Sequence, residues 1–178
     1  GAGETTVLDA NLDEAQGVAI DSEGNVYVTD PNAGKVKRIS AQGDVTESPI
    51  AFERPEDVAL GPDGDLFVVD GVDAMVYKID PASFGEESMD AGDAQWDYTT
   101  VGYNYEYPVS IAVTDNGVVY VGDTGSGKIL KVLPDAYGYY DGTILTVAEE
   151  VYNLMNIAVD KHGNVFFANY DSLSRISP

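Results

Sequence analysis

An all-β fold, a β-propeller of four blades, is predicted by three observations on these 178 residues. One stretch occurs four times. Each copy joins two β-prone runs through a tight turn with glycine, and a further run follows that is rich in lysine or arginine. The turn glycines Gly24, Gly64, Gly117 and Gly163 stand 40, 53 and 46 residues apart. Internal repeats of that period, built from strands, indicate propeller blades.

The elements follow in order. Residues Thr5 to Ala10 form a short β-prone segment with no complete repeat before it. In the first copy, Gly17 to Asp21 reads as an apolar strand, Asp21-Ser22-Glu23-Gly24 as the turn and Asn25 to Asp30 as the second strand. Gly61-Pro62-Asp63-Gly64, Thr114-Asp115-Asn116-Gly117 and Asp160-Lys161-His162-Gly163 repeat the turn, whose glycine supplies the positive φ that closes a hairpin. Ala19, Ala59, Ala112 and Ala158 centre the first strands, where a small side chain is expected to let strands crowd around the axis. Lys35, Lys37, Arg38, Lys78, Lys128, Lys131 and Arg175 fall on the third strands, where charge discourages edge pairing.

Fourth strands are expected near 44–50, 97–102 and 143–148. The last copy has none before Pro178, so Thr5 to Ala10 is expected to supply it and close the ring. The alternative is a fragment of a six-bladed propeller, with Thr5 to Ala10 ending a missing blade. Residues 1–178 are read as a single domain. Two insertions, Pro81 to Asp97 with Trp96 and Pro134 to Gly142 with Tyr137, Tyr139 and Tyr140, are expected on the face of the glycine turns.

Composition narrows the function. Without cysteine there is neither a disulfide framework nor a cysteine zinc site. No run of 18 apolar residues is present, so membrane insertion is not expected. The start, Gly1-Ala2-Gly3-Glu4, lacks the pattern of a leader and is expected to be a trimmed or mature end. Thirty-one acidic residues against nine basic ones give a net charge of −22, which repels nucleic acid and anionic lipid. It suits solubility, cation attraction or a basic partner. An extracellular or cell-surface monomer is expected.

The pattern apolar-Ala-apolar-Asp-x-x-Gly-Asn-apolar-Tyr-apolar-x-Asp, followed by a basic strand, resembles the NHL repeat. Gly17 to Ser40 and Asn156 to Ser177 match best, while Gly61 and Thr114 stand where aspartate is usual. The resemblance implies a β-propeller. It covers peptide-, protein- and RNA-binding modules, with metal-dependent lactonases and lyases among related six-bladed propellers.

In such propellers the loops before each first strand and after each second strand open on one face around the central channel. Here those loops gather Glu14, Glu53, Glu56 and Glu106, the aspartates Asp30, Asp70 and Asp123, and Tyr105, Tyr107 and Tyr152. Converging oxygens could take Ca²⁺, with Glu14, Glu53 and Glu106 as the candidate metal ligands. The simpler reading of the aspartates is turn capping. Arg54, the one basic residue of that face, either pairs with Glu53 or Glu56 or holds a ligand carboxylate. Tyr103, Tyr105 and Tyr107 alternate and are expected to share one face of an extended segment. The sole histidine, His162, falls in a turn on the opposite face, whereas the related lyases depend on histidine on the ligand face. A non-catalytic binding or scaffolding module is therefore expected. Its ligand would be a protein, peptide or carbohydrate held by Arg54, Tyr105, Glu106, Tyr107, Tyr152 and Asn153, with no required cofactor. The alternative is a metal-dependent hydrolase of the lactonase type that uses the acidic pore.

Overall fold

The computed structural model describes residues 3–8, 11–85 and 98–178. Its fifteen described strands form four antiparallel sheets, each running in chain order from an inner to an outer strand. Blade 1 contains β1 (Val18–Ile20), β2 (Val26–Asp30), β3 (Lys35–Ile39) and β4 (Val45–Glu47). Blade 2 contains β5 (Pro55–Leu60), β6 (Leu66–Asp70), β7 (Met75–Ile79) and β8 (Tyr98–Tyr103). Blade 3 contains β9 (Pro108–Val113), β10 (Val119–Asp123), β11 (Lys128–Pro134) and β12 (Tyr140–Ala148). Blade 4 contains β13 (Leu154–Val159), β14 (Val165–Asn169) and β15 (Leu173–Ile176).

The inner hairpins repeat one hydrogen-bond scheme. The Asp21 amide donates to the Asn25 carbonyl at 3.0 Å, and the Gly24 amide to the Asp21 carbonyl at 3.2 Å, with Gly24 at φ 86°. In blade 1 the Asp21 carboxylate also accepts from the Glu23 and Asn25 amides, from Asn25 Nδ2 at 2.7 Å and from the Tyr27 hydroxyl at 3.2 Å. The repeated Asp, Asn and Tyr are thus partners in one small network. Asp160 and Asn164 rebuild most of it in blade 4, where Phe166 has no hydroxyl to add.

Blade 2 solves the same turn without polar side chains. A Cβ on Gly61 would stand 2.5 Å from Phe67 Cε2, so the ring occupies the space that an aspartate would need. The departures at Gly61 and Phe67 therefore belong together.

The core lies between blades. Tyr27 and Val36 of blade 1 pack on Val58, Leu66 and Val68 of blade 2. Phe67 and Val69 pack on Ile111, Val119 and Val121 of blade 3, and Tyr120 and Ile129 on Ile157 and Val165 of blade 4. Burying one such side chain contributes roughly 1.5–3 kcal/mol. Ala19, Ala59 and Ala112 sit in these joints, where their small size admits the aliphatic face of the next blade. The first strands of neighbouring blades approach one another at these joints, in keeping with the small side chain expected there.

The basic third strands of blades 1 to 3 are interior strands, covered by β4, β8 and β12. Their cations make local bonds instead of guarding an edge: Lys37 Nζ donates to the Asn11 carbonyl at 2.7 Å, and Lys78 pairs with Asp65 at 2.7 Å. Closure by the N-terminus is not shown. Residues 5–8 carry no strand, residues 9 and 10 lie outside the described residues, and the fourth sheet has three described strands. Trp96 and most of its insertion also lie outside them. The second insertion emerges on the glycine-turn face as expected, with the Tyr140 hydroxyl donating to the Gly117 carbonyl at 2.6 Å.

Candidate functional site

The face opposite the glycine turns is built on three buried aspartates. Asp30 accepts the Asp13 and Glu14 amides, both at 3.0 Å. Asp70 accepts those of Glu53 at 2.9 Å and Arg54 at 3.1 Å, together with Val72 and Asp73 of its own turn. Asp123 accepts those of Glu106 at 3.0 Å and Tyr107 at 2.8 Å. Each carboxylate thereby ties the loop entering its blade to the end of the second strand. Capping is their role: their oxygens serve backbone amides first, with the Ser126 hydroxyl donating to Asp123 at 2.7 Å and Lys37 Nζ 3.9 Å from Asp30. In blade 4 the polarity is reversed: Asn169 Nδ2 donates to the Tyr152 carbonyl at 3.0 Å, and Asn153 takes a positive φ of 55°.

This anchoring places Glu14, Arg54, Tyr107 and Asn153 at equivalent positions, three residues before Gly17, Asp57, Ser110 and Asn156. Three of the four are joined through Glu56, which is 3% exposed. Glu56 accepts from Gln16 Nε2 at 2.6 Å, from Arg54 Nε at 2.8 Å and from the Tyr107 hydroxyl at 2.6 Å. The other end of the guanidinium reaches Glu14 at 3.2 Å and Asn32 Oδ1 at 3.4 Å. A continuous chain, Glu14–Arg54–Glu56–Tyr107, therefore crosses blades 1, 2 and 3. Gly71 makes room for it, since a Cβ there would lie 3.0 Å from Glu56 Cγ.

The electrostatics follow the contacts. Burial works against the Arg54 charge, but Glu56 and Glu14 outweigh it and hold the guanidinium above its ordinary value. The hydrogen bond to Glu56, aided by burial, raises the Tyr107 phenol, so it remains a donor at neutral pH. The Asp57 carboxyl, at the start of the same strand, is raised by desolvation despite bonds from Ile111, Val58 and Ser110.

The residues singled out by sequence separate into groups. Arg54 pairs with Glu56, one of the two partners foreseen for it, and Tyr107 joins the same network. Tyr105 does not face the pore: it is 5% exposed in the joint between blades 2 and 3, where burial and the nearby Asp123 raise its phenol. The expected alternation of Tyr103, Tyr105 and Tyr107 on one face fails because Asn104 adopts a φ of 65° and β8 ends at Tyr103. Glu106 and Tyr152 are exposed on their loops, and Asn153 follows Tyr152. Glu14 is engaged by Arg54, and among the described residues no group of three or more His, Cys, Asp or Glu side chains is placed to hold a metal ion. Sequence reasoning missed Gln16 and Asn32. Gln16 has a signal, since it holds in blade 1 the position that Glu56 holds in blade 2.

The turn face is a row of grooves between successive blades, of about 320 Å³ beside Arg38, 280 Å³ beside Lys78 and 500 Å³ beside His162. His162 lies on this face, as expected, in a turn where its amide donates to Asp160.

Among solved structures, the chain is similar to virginiamycin B lyase from Staphylococcus aureus. The identity is 14% and the TM-score 0.67 over 92% of this chain and 55% of that one. It is also similar to a gluconolactonase from Xanthomonas campestris, at 15% identity and a TM-score of 0.69 over 92% of this chain and 58% of the other. A calcium-binding regucalcin from Agrobacterium tumefaciens matches at 16% identity and a TM-score of 0.50, over 96% and 73%.

The chain has a β-propeller fold. At these identities the likeness shows the fold alone. The chain spans a little over half the length of the lyase and gluconolactonase chains. No protein-family profile matches it, and no curated protein matches it.

Proposed function

We propose that this chain is a non-catalytic binding module whose pore face recognises a protein or peptide segment carrying basic side chains, and that its blades are NHL-like. The observation that carries the reading is the Glu14–Arg54–Glu56–Tyr107 chain, which spans three blades on loops fixed through their backbone amides. Recognition is commonly carried by loops held on a rigid scaffold. Glu14, Glu53, Glu56 and Glu106 outnumber Arg54 on this face, and the net charge of −22 draws cationic ligands to it. Tyr107 and Tyr152 add aromatic area with polar tips, suited to peptide or carbohydrate contact.

The test is fluorescence anisotropy with labelled lysine-rich, glutamate-rich and neutral peptides and a neutral oligosaccharide. The lysine-rich peptide is expected to bind best, and Tyr107→Ala to weaken it at least about tenfold, the loss of one good contact. Asp115→Asn, on the turn face, is expected to leave binding unchanged. Equal loss in both variants, or a preference for the oligosaccharide, sinks the peptide reading.

A second reading, a metal-dependent hydrolase of the lactonase type, is supported by the fold shared with the gluconolactonase. It requires Glu14, Glu53 and Glu106 to gather around a cation. A large rise in Tm with micromolar Ca²⁺, abolished by Glu106→Gln, would put this reading first.

A further inference from the structure

In each blade a cation of the third strand stands in register beside the aromatic ring of the second: Arg38 beside Tyr27, Lys78 beside Phe67. Blade 2 satisfies its cation. Lys78 Nζ pairs with Asp65 at 2.7 Å and lies 5.9 Å from the centre of the Phe67 ring. In blade 1 the turn position of Asp65 is held by Asn25, whose Nδ2 is turned to Asp21 at 2.7 Å. Arg38 is thereby left alone. Its Nε is covered and has no hydrogen-bond partner, and among the described residues no ion pair reaches the guanidinium. Thr46, the next residue in register on β4, likewise has a covered hydroxyl without a partner.

Arg38 lines the groove of about 320 Å³ between blades 1 and 2 on the turn face. That volume is at the lower end for small-molecule sites. Its Tyr27 wall is fixed by the Phe84 ring, edge-on at 5.7 Å, and by the hydroxyl bond to Asp21. Asp21, Glu23, Asp63, Asp65 and Asp80 also line the groove. Three of them are engaged: Asp21 by its turn, Asp65 by Lys78 and Asp80 by the Ala82 amide at 2.8 Å. Glu23 and Asp63 are exposed, and their carboxylates have no hydrogen bond or ion pair among the described residues. One open cation and two open carboxylates thus share one groove. A plain anion meets repulsion from the carboxylates and from the net charge of −22, and a plain cation meets Arg38. A molecule with both charges is complementary to the whole groove.

We propose that this groove binds a small zwitterion of the free amino acid class, with its carboxylate on Arg38 and its cationic nitrogen toward Glu23 and Asp63. A guanidinium offers a planar set of donors matched to a carboxylate, and such charge-assisted bonds are the strong ones. Both walls belong to blades that pack directly on each other through Tyr27, Val58 and Leu66, so the groove is complete within the described residues. The inference is independent of what the pore face binds.

The test is isothermal titration calorimetry of the whole chain with glycine, γ-aminobutyrate, butyrate and butylamine. At least one of the two zwitterions is expected to bind, and at least about tenfold more tightly than butyrate or butylamine, the loss of one bond to a charged group. Arg38→Gln is expected to weaken that binding at least about tenfold, and so is a variant combining Glu23→Gln with Asp63→Asn. Asp141→Asn, on blade 3, is expected to leave it unchanged. Far-ultraviolet circular dichroism checks the fold of each variant. Glu23 and Asp63 are exposed, so the double variant decides the matter if Arg38→Gln does not fold. No binding of either zwitterion, equal binding of butyrate or butylamine, or a folded groove variant that binds as the parent does would each overturn the proposal.

Discussion

The inner hairpins of blades 1 and 2 trace the same backbone with opposite chemistry. In blade 1 the turn is held by a carboxylate: Asp21 collects two amides, Asn25 Nδ2 and the Tyr27 hydroxyl. In blade 2 the corresponding space is filled by the Phe67 ring against Gly61, and the turn keeps only its backbone bonds, Gly61 amide to Asp65 carbonyl at 2.8 Å and Gly64 amide to Gly61 carbonyl at 3.1 Å. A ring and a carboxylate are therefore alternative fillings of one site. Neither can be exchanged without the residue six positions on.

The most damaging way to break that pairing is Gly61→Asp. It pushes a Cβ into a ring that is 1% exposed and leaves a carboxylate without the tyrosine hydroxyl. Urea unfolding should show a loss of about 3 kcal/mol, combining overpacking with an ill-matched polar group. Adding Phe67→Tyr should recover at least about 1 kcal/mol, a coupling expected only of residues in contact. If the double variant is merely additive, the two residues are not a unit.

Removing the carboxylate from blade 1 is a smaller change. Asp21→Ala should cost about 1 kcal/mol at pH 7, since the turn is largely solvated and keeps its backbone bonds. Burial opposes its charge, but the bonds from Asn25, Glu23 and Tyr27 prevail and hold the Asp21 carboxyl below its ordinary 3.8. Because the folded value is the lower one, the contribution is complete above pH 3.8 and is lost as pH falls below it through the folded value. Followed by urea unfolding from pH 5 to pH 2, the stability difference between the parent and Asp21→Ala should shrink as pH falls below 3.8. A difference that stays constant down to pH 2 would mean that the carboxylate does not hold the turn.

The mildest change is Tyr27→Phe, which leaves Asp21 three donors and imitates the ring of blade 2. It should cost about 0.5 kcal/mol in urea unfolding. A loss as large as that of Asp21→Ala would mean that the hydroxyl, and not the amides, holds the turn.

These pairings show how far the sequence could be read. Hairpins were legible because their signals are local: Asp21, Gly24, Asn25 and Tyr27 lie within seven residues and recur in register. Fourth strands were placed within a few residues, β4 at Val45–Glu47 and β12 at Tyr140–Ala148. Tyr105 and Tyr107 were misjudged as a pair because the chain leaves strand geometry between β8 and β9: Asn104 takes φ 65° and residues 106–107 bend, so the alternation that would put them on one face is lost. The Glu56 network was only partly visible, since Gln16 and Tyr107 lie 40 and 51 residues from it in sequence. Their meeting depends on how neighbouring blades abut. A single chain with Gly61 and Thr114 in place of aspartate also conceals which substitutions are coupled.

The aspartate anchors have an evolutionary consequence. Asp30, Asp70 and Asp123 grip amide groups, which every residue except proline possesses, so the loops keep their course whatever side chain stands at positions 14, 54 and 107. Three blades already display glutamate, arginine and tyrosine there on the same support. Mutation can thus sample new surfaces at those sites without redirecting the loops, at a cost in stability where, as at Arg54 and Tyr107, the side chain also meets the buried Glu56. A lineage that duplicates and diversifies such blades can change what it recognises faster than it changes its shape.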